Sequence, residues 1–319
     1  MINPVDISII IPVLNEEDSI EQLTKEISSS LKKLYNWEII FVDDGSSDDS
    51  VAIVNKIIRS DPRVKLIKFY RNYGKADALS EGFSAASGKF IITMDADLQD
   101  DPSEIQNLIN KLNDGWDMVS GWKKNRNDPL SKRLPSRFFN LVTRFITGIN
   151  IHDFNCGLKA YKSKVIKTIK VYGGLHRYIP ALAKQHGFTI TEIVVNHRAR
   201  EFGQTKYGGA RYFHGFFDLL TVSFIGKYFN RPLNFFGLIG SFLFIIGLLI
   251  NIYLTIGWFQ GVWIGNRPIL FLGVLMIVVG IQFFSIGLIG EMIVKSGRYK
   301  ENRIEKVFTH KNINENISD

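Results

Sequence analysis

Short apolar runs alternate with segments of helical periodicity along the first part of the chain. Strands are predicted at 7–11, 37–42, 64–69, 89–94 and 117–120, and helices at 19–34, 48–59, 76–86 and 103–113. The run at 7–11 is almost continuously apolar, which is typical of a strand buried on both faces of a sheet. Strands and helices that alternate in this way predict an α/β fold with a mostly parallel sheet. The pattern does not decide the order of the strands.

The C-terminal third of the chain has a different pattern. Residues 233–259 and 269–294 are almost wholly apolar, and neither run has a polar face. At 1.5 Å per residue each run extends about 39 Å as a helix, more than the roughly 30 Å of a bilayer core. The sequence therefore predicts two transmembrane helices that form a hairpin.

The predicted domain layout follows from these patterns. An α/β domain occupies 1–207 and includes an interfacial amphipathic helix at about 131–148. It is followed by a juxtamembrane amphipathic helix at 208–231, the transmembrane hairpin at 232–295 and a tail at 296–319.

The basic residues that flank the hairpin predict its orientation. Lys227 and Arg231 precede the first span, whereas the loop between the spans carries a single basic residue, Arg267. Four more basic residues follow the second span: Lys295, Arg298, Lys300 and Arg303. The positive-inside rule then places the α/β domain and both termini in the cytoplasm, and the protein in the plasma (inner) membrane.

Composition narrows the possible partners. The 319 residues include 39 Lys and Arg against 31 Asp and Glu, a formal net charge of +8, which favours an anionic partner such as a nucleotide, a nucleic acid or a lipid surface. The single cysteine, Cys156, cannot form an internal disulfide. No Gly-x-Gly-x-x-Gly follows the first strand and no Walker-type loop is present, which argues against dinucleotide-binding and P-loop proteins.

Two aspartates, Asp95 and Asp97, directly follow the predicted strand at 89–94. They are expected at the carboxyl edge of the sheet, where open α/β folds bind ligands. Two carboxylates so close together repel each other unless a cation neutralises them, and hard oxygen ligands suit Mg²⁺ or Mn²⁺. The alternative is an acidic helix N-cap before Pro102.

Three motifs in order carry a family resemblance: Pro-Val-Leu-Asn-Glu at 12–16, Val-Asp-Asp-Gly-Ser-Ser-Asp at 42–48 and Asp-Ala-Asp-Leu-Gln at 95–99. Their order resembles the inverting glycosyltransferases of family 2, which have a GT-A nucleotide-sugar fold. The segments 71–79, 152–159 and 197–207 look like the polyprenyl-phosphate sugar transferases of that family, the group of bactoprenol glucosyltransferases and dolichol-phosphate mannose synthase. The resemblance covers residues 5–300. One departure is Thr205, where family members often have Ser.

The resemblance implies a set of donor-side residues. Those expected to bind the nucleotide sugar are Pro12, Asn15, Glu16, Asp44, Lys75, Asp95 and Asp97, with Asp44 the main candidate for base or ribose recognition. The expected ligands of Mg²⁺ or Mn²⁺ are Asp95, Asp97 and Gln99, although Asp95 could contact the ribose instead. Helix capping or turn formation is the alternative for each carboxylate.

The acceptor side is predicted mainly from charge. Residues 123–144 contain seven basic residues against one acidic residue, with apolar residues interleaved at helical spacing, a pattern typical of a helix on a membrane surface. The alternative is a solvated basic face. The candidates for binding a lipid phosphate are Arg126, Arg133, Ser136, Arg200 and Lys206, and Arg200 could instead reach the nucleotide diphosphate.

The expected reaction is inverting transfer of a hexose from a nucleotide sugar to polyprenyl phosphate, with Asp97, Asp153 and Arg200 in the catalytic set. The donor expected first is UDP-glucose; GDP-mannose, UDP-N-acetylglucosamine and UDP-galactose are alternatives. By family position Asp153 is the general base, but it could equally bind sugar hydroxyls or orient a neighbour, because a phosphate monoester is already mostly dianionic at neutral pH.

Two other classes of protein are alternatives to a polyprenyl-phosphate glycosyltransferase. If the protein were a membrane polysaccharide synthase, the sequence would be expected to have more spans and a Gln-x-x-Arg-Trp motif. If it were a non-catalytic, membrane-anchored scaffold, the Asp-x-Asp site would be expected to be degraded. A nucleic acid is not expected as a partner, because the basic cluster adjoins the predicted membrane anchor. The Gly-rich spans favour a homo-oligomer.

Overall fold

A computed structural model describes residues 4–31, 35–124, 130–171, 175–198, 231–265 and 267–297, of which 130–135, 137–138, 146 and 295–297 are described by their backbone alone. The strands are β1 (Ile7–Val13), β2 (Trp37–Asp43), β3 (Val64–Lys68), β4 (Phe90–Thr93), β5 (Met118–Trp122), β6 (Lys159–Lys162) and β7 (Ile190–Val194). The helices are α1 (Glu17–Leu31), α2 (Ser50–Ser60), α3 (Lys75–Ala85), α4 (Ile105–Asn113), α5 (Leu130–Thr147), α6 (Ser163–Thr168), α7 (Ile179–Gln185), α8 (Pro232–Phe259) and α9 (Pro268–Gly297).

The seven strands form one sheet in the order β3-β2-β1-β4-β6-β5-β7. Neighbouring strands are parallel except for β6, which runs antiparallel to both β4 and β5. This confirms the predicted α/β fold with a mostly parallel sheet. The sequence analysis did not predict β6 and β7, because β6 is short and carries two lysines and β7 is only partly buried.

Helices pack on both faces of the sheet and bury its aliphatic side chains. One core joins the sheet to α1, α2 and α4 through residues such as Leu23 and Leu108. The other joins it to α3, α6 and α7 through residues such as Leu79 and Val165. Each fully buried aliphatic side chain contributes roughly 1.5–3 kcal/mol, so the two cores hold the strand ends in fixed positions.

Most of the predicted element bounds are confirmed to within two residues, and the differences have local causes. The first strand continues past Pro12 to Val13, beyond the point where its pairing with β4 ends at Ile10. The predicted helix at 103–113 begins as a 3-10 turn, Pro102–Glu104, which the Asp101 side chain caps by accepting a hydrogen bond from Ser103 N at 3.0 Å. The helix predicted at about 131–148 is confirmed as α5.

The chain divides into two compact units, Met1–Gly226 and Lys227–Asp319. In the second unit α8 and α9 are long and apolar enough to cross a membrane, which confirms the two predicted helices. Their backbones approach closely at glycines: a Cβ on Gly240 would lie 2.6 Å from the carbonyl oxygen of Gly280. The finer domain boundaries stay a prediction.

Candidate active site

The loops that follow β1 and β2 are joined by hydrogen bonds at the carboxyl edge of the sheet. Asn15 has a left-handed backbone (φ +50) that few residues other than Gly, Asn and Asp adopt readily. Its N–H donates to Ser46 Oγ at 3.0 Å, and its Oδ1 accepts from Ser47 N at 2.8 Å. Glu16 N donates to Ser50 Oγ at 2.9 Å. The two predicted nucleotide-binding motifs therefore form a single rigid surface.

Asp44 connects that surface to the start of α3. Its carboxylate is 5% exposed and accepts hydrogen bonds from Tyr73 N at 2.7 Å and from Gly74 N at 3.0 Å. Burial raises the pKa of the Asp44 carboxyl; the two N–H groups act in the opposite direction and nearby Asp43 adds to the rise. Asp44 thus holds the loop that delivers Lys75, the first residue of α3.

Asp95 is the first aspartate after β4 and forms an ion pair with Lys75, with 2.5 Å between Asp95 Oδ1 and Lys75 Nζ. Burial raises the pKa of the Asp95 carboxyl, but the charges of Lys75 and Lys123 outweigh that effect and lower the pKa to about 2. The structure therefore brings the predicted residues Lys75 and Asp95 together, with Asp95 ionised at neutral pH.

Asp97 lies two residues further along, where the backbone is strained. Leu98 adopts φ +60 although it has a branched side chain, and that side chain is 2% exposed in the core. Asp97 is 9% exposed, and its Oδ1 accepts a hydrogen bond from Gln99 N at 3.3 Å. Packing of Leu98 into the core thus fixes the backbone that carries Asp97 and Gln99.

A second ion pair fastens the same loop from the other side. Lys123 Nζ lies 2.7 Å from Asp100 Oδ1, and the two side chains are 10% and 0% exposed. By its sequence position Lys123 is predicted to be one of the basic residues of the membrane-surface segment 123–144. That assignment is wrong for Lys123, because the structure buries its ammonium group against a carboxylate.

Asp153 begins a loop that faces the aspartates. It is 1% exposed, and its Oδ1 accepts a hydrogen bond from Asn155 N at 3.1 Å. Gly157 lies directly against Asp95: a Cβ at Gly157 would be 2.5 Å from the Asp95 carboxylate. The segment 153–157 therefore packs against the Asp-x-Asp loop.

A cavity opens among these elements. Its lining includes residues from the predicted set and others that the sequence analysis missed: Pro12, Lys75, Asp95, Asn155, Gly157, Lys159, Tyr161, His176 and Arg177. Burial lowers the pKa of Lys159, and burial together with the charges of Lys75 and Arg177 lowers that of His176 to about 3. Lys159 stands at the end of a motif quoted for the resemblance and could have been noticed; His176 and Arg177 carry no local signal.

Most of the predicted acceptor residues cannot be placed. Arg126, Arg200 and Lys206 lie outside the described residues, and Arg133 is described only by its backbone in α5. Ser136 lies on α5 and is half-buried.

Arg198 is the last described residue before the segment that carries the predicted Arg200. Its guanidinium lies 2.6 Å from Glu26 Oε2 and 3.0 Å from Asp101 Oδ1. Its backbone N–H donates a hydrogen bond to Gln99 O at 3.0 Å. Arg198 therefore ties the chain to both α1 and the Asp-x-Asp loop.

The donor atoms at this loop fit a divalent cation whose remaining ligands come from a substrate. Among the described residues, no three His, Cys, Asp or Glu side chains are grouped closely enough to hold a metal by themselves. Mg²⁺ is commonly bound through one or two carboxylates together with substrate phosphates. An ionised Asp95 and the edge position of Asp97 match that mode.

Comparisons with known proteins show the family of the chain. A family model described as "Glycosyl transferase family 2" matches residues 8–170. A dodecaprenyl-phosphate galacturonate synthase of Rhizobium johnstonii is 36% identical over 302 residues, which are 92% of this chain and 89% of the relative. An undecaprenyl-phosphate 4-deoxy-4-formamido-L-arabinose transferase of Salmonella choleraesuis is 36% identical over 294 residues, covering 90% of this chain and 88% of the relative.

Solved structures share the fold of this chain over most of its length. Glucosyl-3-phosphoglycerate synthase from Mycobacterium tuberculosis, in complex with Mn²⁺, UDP-glucose and phosphoglyceric acid, superposes with a TM-score of 0.54 at 20% identity. The match covers 71% of this chain and 82% of that chain, and at this identity it shows the fold alone. The chain therefore belongs to glycosyltransferase family 2, has the GT-A fold and is a glycosyltransferase.

Proposed function

We propose that the protein transfers a sugar from a nucleotide sugar to polyprenyl phosphate at a membrane, with inversion at the anomeric carbon. The observation that carries the proposal is the arrangement of Asp95 and Asp97 at the carboxyl edge of the sheet, beside the joined loops of Asn15 and Asp44. The names of both relatives at 36% identity include a polyprenyl phosphate, which supports the acceptor.

On the donor side, Pro12, Asn15, Glu16 and Asp44 bind the nucleoside. The surface that these residues share is held by hydrogen bonds from backbone N–H groups to side-chain oxygens, so little ordering is required when the nucleoside binds. Asp44 also accepts two backbone hydrogen bonds, so it shapes this subsite as well as contacting the ligand.

Asp95, Asp97 and Gln99 hold Mg²⁺ or Mn²⁺. The cation, when bound, supplies Lewis-acid stabilisation of the departing nucleoside diphosphate. Lys75, already paired with Asp95, adds a positive charge next to the same diphosphate.

On the acceptor side, Arg126, Arg133, Ser136, Arg200 and Lys206 bind the lipid phosphate. Helix α5 supports a membrane-facing role, because Leu141 is 61% and Phe145 is 90% exposed on it. The protein is anchored in the inner membrane by two spans, with its catalytic unit and both termini in the cytoplasm, as the basic flanks predict. The glycine-rich spans also associate into a homo-oligomer.

Asp153 acts by positioning rather than as a general base. A carboxylate that is 1% exposed and capped by Asn155 N is poorly placed to remove a proton from an incoming lipid phosphate. The phosphate is mostly dianionic at neutral pH and does not require a base. Asp153 instead holds the 153–157 loop against Asp95.

The most specific part of the proposal is the identity of the transferred sugar. The sequence resemblance favours glucose from UDP-glucose, whereas the relatives' names contain galacturonate and 4-deoxy-4-formamido-L-arabinose. The donor test therefore includes neutral hexoses, hexuronates and 4-amino-pentose derivatives, each linked to UDP, and GDP-mannose.

The decisive experiment incubates the purified full-length protein with polyprenyl phosphate, Mn²⁺ and each radiolabelled donor, and counts label in an organic extract. We expect one class of donor to label the lipid. Asp97→Asn should lower that rate by at least about 100-fold, since metal stabilisation of the leaving group is worth several kcal/mol.

Asp114→Asn is the matched control, because Asp114 is an exposed aspartate paired with Lys111 away from the site. It should transfer at the wild-type rate. Absence of lipid label with every donor would refute the proposed function, and full activity of Asp97→Asn would refute the metal assignment.

A further inference from the structure

Cationic side chains dominate the charge of the cavity beside Asp95. Lys75, Lys159 and Arg177 line it, whereas Asp95 is the single carboxylate among the described lining residues. His176, which also lines the cavity, is neutral at physiological pH because its pKa is strongly lowered. The described cavity wall therefore has an excess of positive charge.

Lys159 accounts for much of that excess. It is 4% exposed, and its Nζ donates a hydrogen bond to the carbonyl oxygen of Cys156. Within the described part of the chain, no carboxylate lies within 4.0 Å of this ammonium group, and the nearby Asp95 is already paired with Lys75. The charges of Asp153 and Asp95 act on this group from a greater distance. Burial of an ammonium group that no carboxylate contacts is unfavourable, and a bound anion would offset that cost.

The position of Lys159 indicates what kind of anion this is. Lys159 is paired in register with Thr93, the last residue of β4, so it stands one strand away from the start of the Asp-x-Asp loop. It also follows directly after the loop that begins at Asp153. An anion held here would lie in the cavity that Asp95 also lines, next to the proposed metal ligands, where the proposed reaction brings two phosphate-bearing substrates together.

We propose that Lys159 and Arg177 form an oxyanion-binding wall that contacts phosphate oxygens of the reacting substrates, in the cavity that Asp95 also lines. This inference rests on the proposed function and adds two residues to it. The phosphate comes either from the departing nucleoside diphosphate or from the lipid acceptor. In both cases fixed cations reduce the repulsion between the two anions without having to reorganise during the reaction.

The test uses the full-length protein in detergent with Mn²⁺ and measures two affinity ratios by calorimetry. The ratio of UDP to UMP affinity isolates the second phosphate of the nucleotide. The ratio of affinities for a short polyprenyl phosphate and its alcohol isolates the acceptor phosphate. We expect Lys159→Met and Arg177→Gln each to lower one of these ratios about tenfold, the effect of losing one hydrogen bond to a charged group.

Two controls separate charge recognition from a change in folding. Lys162→Met removes a lysine from the same strand, but this residue contacts Asp117 and Gly115 O away from the cavity, so both ratios should stay unchanged. Arg177→Lys keeps the charge and should recover part of any ratio that Arg177→Gln lowers. Thermal unfolding of each variant shows whether the fold is kept.

A fall in the UDP-to-UMP ratio assigns the wall to the leaving diphosphate, and a fall in the phosphate-to-alcohol ratio assigns it to the acceptor. Unchanged ratios in folded Lys159→Met or folded Arg177→Gln, with wild-type protein that binds UDP, would overturn the inference and leave the proposed function intact. Wild-type protein that binds neither UDP nor polyprenyl phosphate would overturn both.

Discussion

At the scale of single residues, the site depends on close approaches that leave no room for a side chain. Gly157 packs directly against the carboxylate of Asp95, which in turn pairs with Lys75. The backbone of Gly157 has no positive φ, so the requirement for glycine here is one of space rather than of conformation. Two further residues of the site region, Asn15 and Leu98, have positive φ values and fix the directions of their neighbours.

Gly157→Ala should therefore impair catalysis more than stability. The added Cβ would lie 2.5 Å from the Asp95 carboxylate and force it to move away from its position beside Lys75. We expect the transfer rate to fall at least about tenfold, because small displacements of positioned groups are costly in catalysis. The measurement is the rate of lipid labelling together with the thermal unfolding midpoint.

Gly115→Ala is the contrasting variant. Gly115 has φ +109, and nothing lies within 4 Å of the position that a Cβ would take, so alanine there is strained but does not collide with anything. This variant should lose about 1 kcal/mol of stability and keep its transfer rate. A wild-type rate in Gly157→Ala would show that Asp95 tolerates displacement.

At the scale of elements, the loops at the carboxyl edge are held by side chains that bind backbone groups of other loops. Asp44 accepts from the 73–74 backbone, and Asn15 accepts from Ser47 N. Arg198 holds the chain that leads to the proposed acceptor segment in another way: its side chain pairs with the carboxylates of Glu26 in α1 and Asp101, and its backbone N–H donates to Gln99 O. The strand ends thus set where the loops of the site lie, and these contacts hold the loops in place.

Arg198→Met should reduce turnover without unfolding the protein. The variant loses both ion pairs, so, among the described residues, the chain that leads to the predicted Arg200 and Lys206 is held near the Asp-x-Asp loop only by the backbone hydrogen bond to Gln99 O and by contacts of Asn196 and His197. We expect kcat to fall about tenfold or more, because misplaced binding groups lose most of their effect in the transition state. Steady-state kinetics with varied polyprenyl phosphate measures the change.

Lys56→Met is the matched control for that experiment. Lys56 forms an ion pair with Glu21 of α1 at 3.1 Å, but the two side chains are 76% and 43% exposed. Exposed ion pairs contribute about 0–1 kcal/mol, so neither kcat nor stability should change measurably. Equal kinetics in Arg198→Met and wild type would contradict the fastening role.

At the scale of the whole molecule, the two edges of the sheet carry different groups of polar residues. The carboxyl edge carries the proposed site, whereas the amino edge carries networks that join strands. Glu38 at the start of β2 accepts hydrogen bonds from Ser8 Oγ at 2.5 Å and Ser87 Oγ at 2.7 Å, and pairs with Lys65 at 2.6 Å. Substitutions at the amino edge should therefore change stability with little effect on catalysis.

The Glu38 network predicts how stability depends on pH. Burial raises the pKa of Glu38, but the hydrogen bonds from Lys65, Ser8 and Ser87 outweigh it, so the pKa in the folded protein is lowered. A lowered folded-state pKa means that the ionised group stabilises the fold above its ordinary pKa of about 4.3 and that this contribution disappears as the pH falls through the folded value.

Glu38→Gln should accordingly lower the unfolding midpoint by roughly 2–4 °C at pH 7, the shift expected for a loss of about 1 kcal/mol in a unit of this size. The difference from wild type should shrink as the pH falls below that ordinary value and through the lowered pKa of folded Glu38, where wild-type Glu38 becomes protonated. Thermal unfolding at a series of pH values checks this. A difference that does not shrink at any acidic pH at which both proteins are still folded would contradict the assignment.

Much of the fold and part of the site follow from local patterns. Apolar runs and helical periodicity place the first five strands and the first four helices, since burial on one or both faces dictates those periods. The two spans follow from length and hydropathy alone. The Asp-x-Asp motif and the loop of Asp44 are each readable as short segments at strand ends, whereas Lys75 is expected only from the family resemblance.

The tertiary structure decided which distant residues meet. Lys75 and Asp95 are 20 positions apart and form an ion pair. Lys123 was predicted as a surface charge, but the structure buries it as the partner of Asp100. Lys159 and Arg177 line the same cavity. Lys159 lies in β6 and Arg177 in a 3-10 turn, Leu175–Tyr178, and neither element has a strong hydrophobic pattern in the sequence. The physical reason is that periodicity reports which face of an element is buried, whereas the order of strands and the packing of loops set which charges share a cavity.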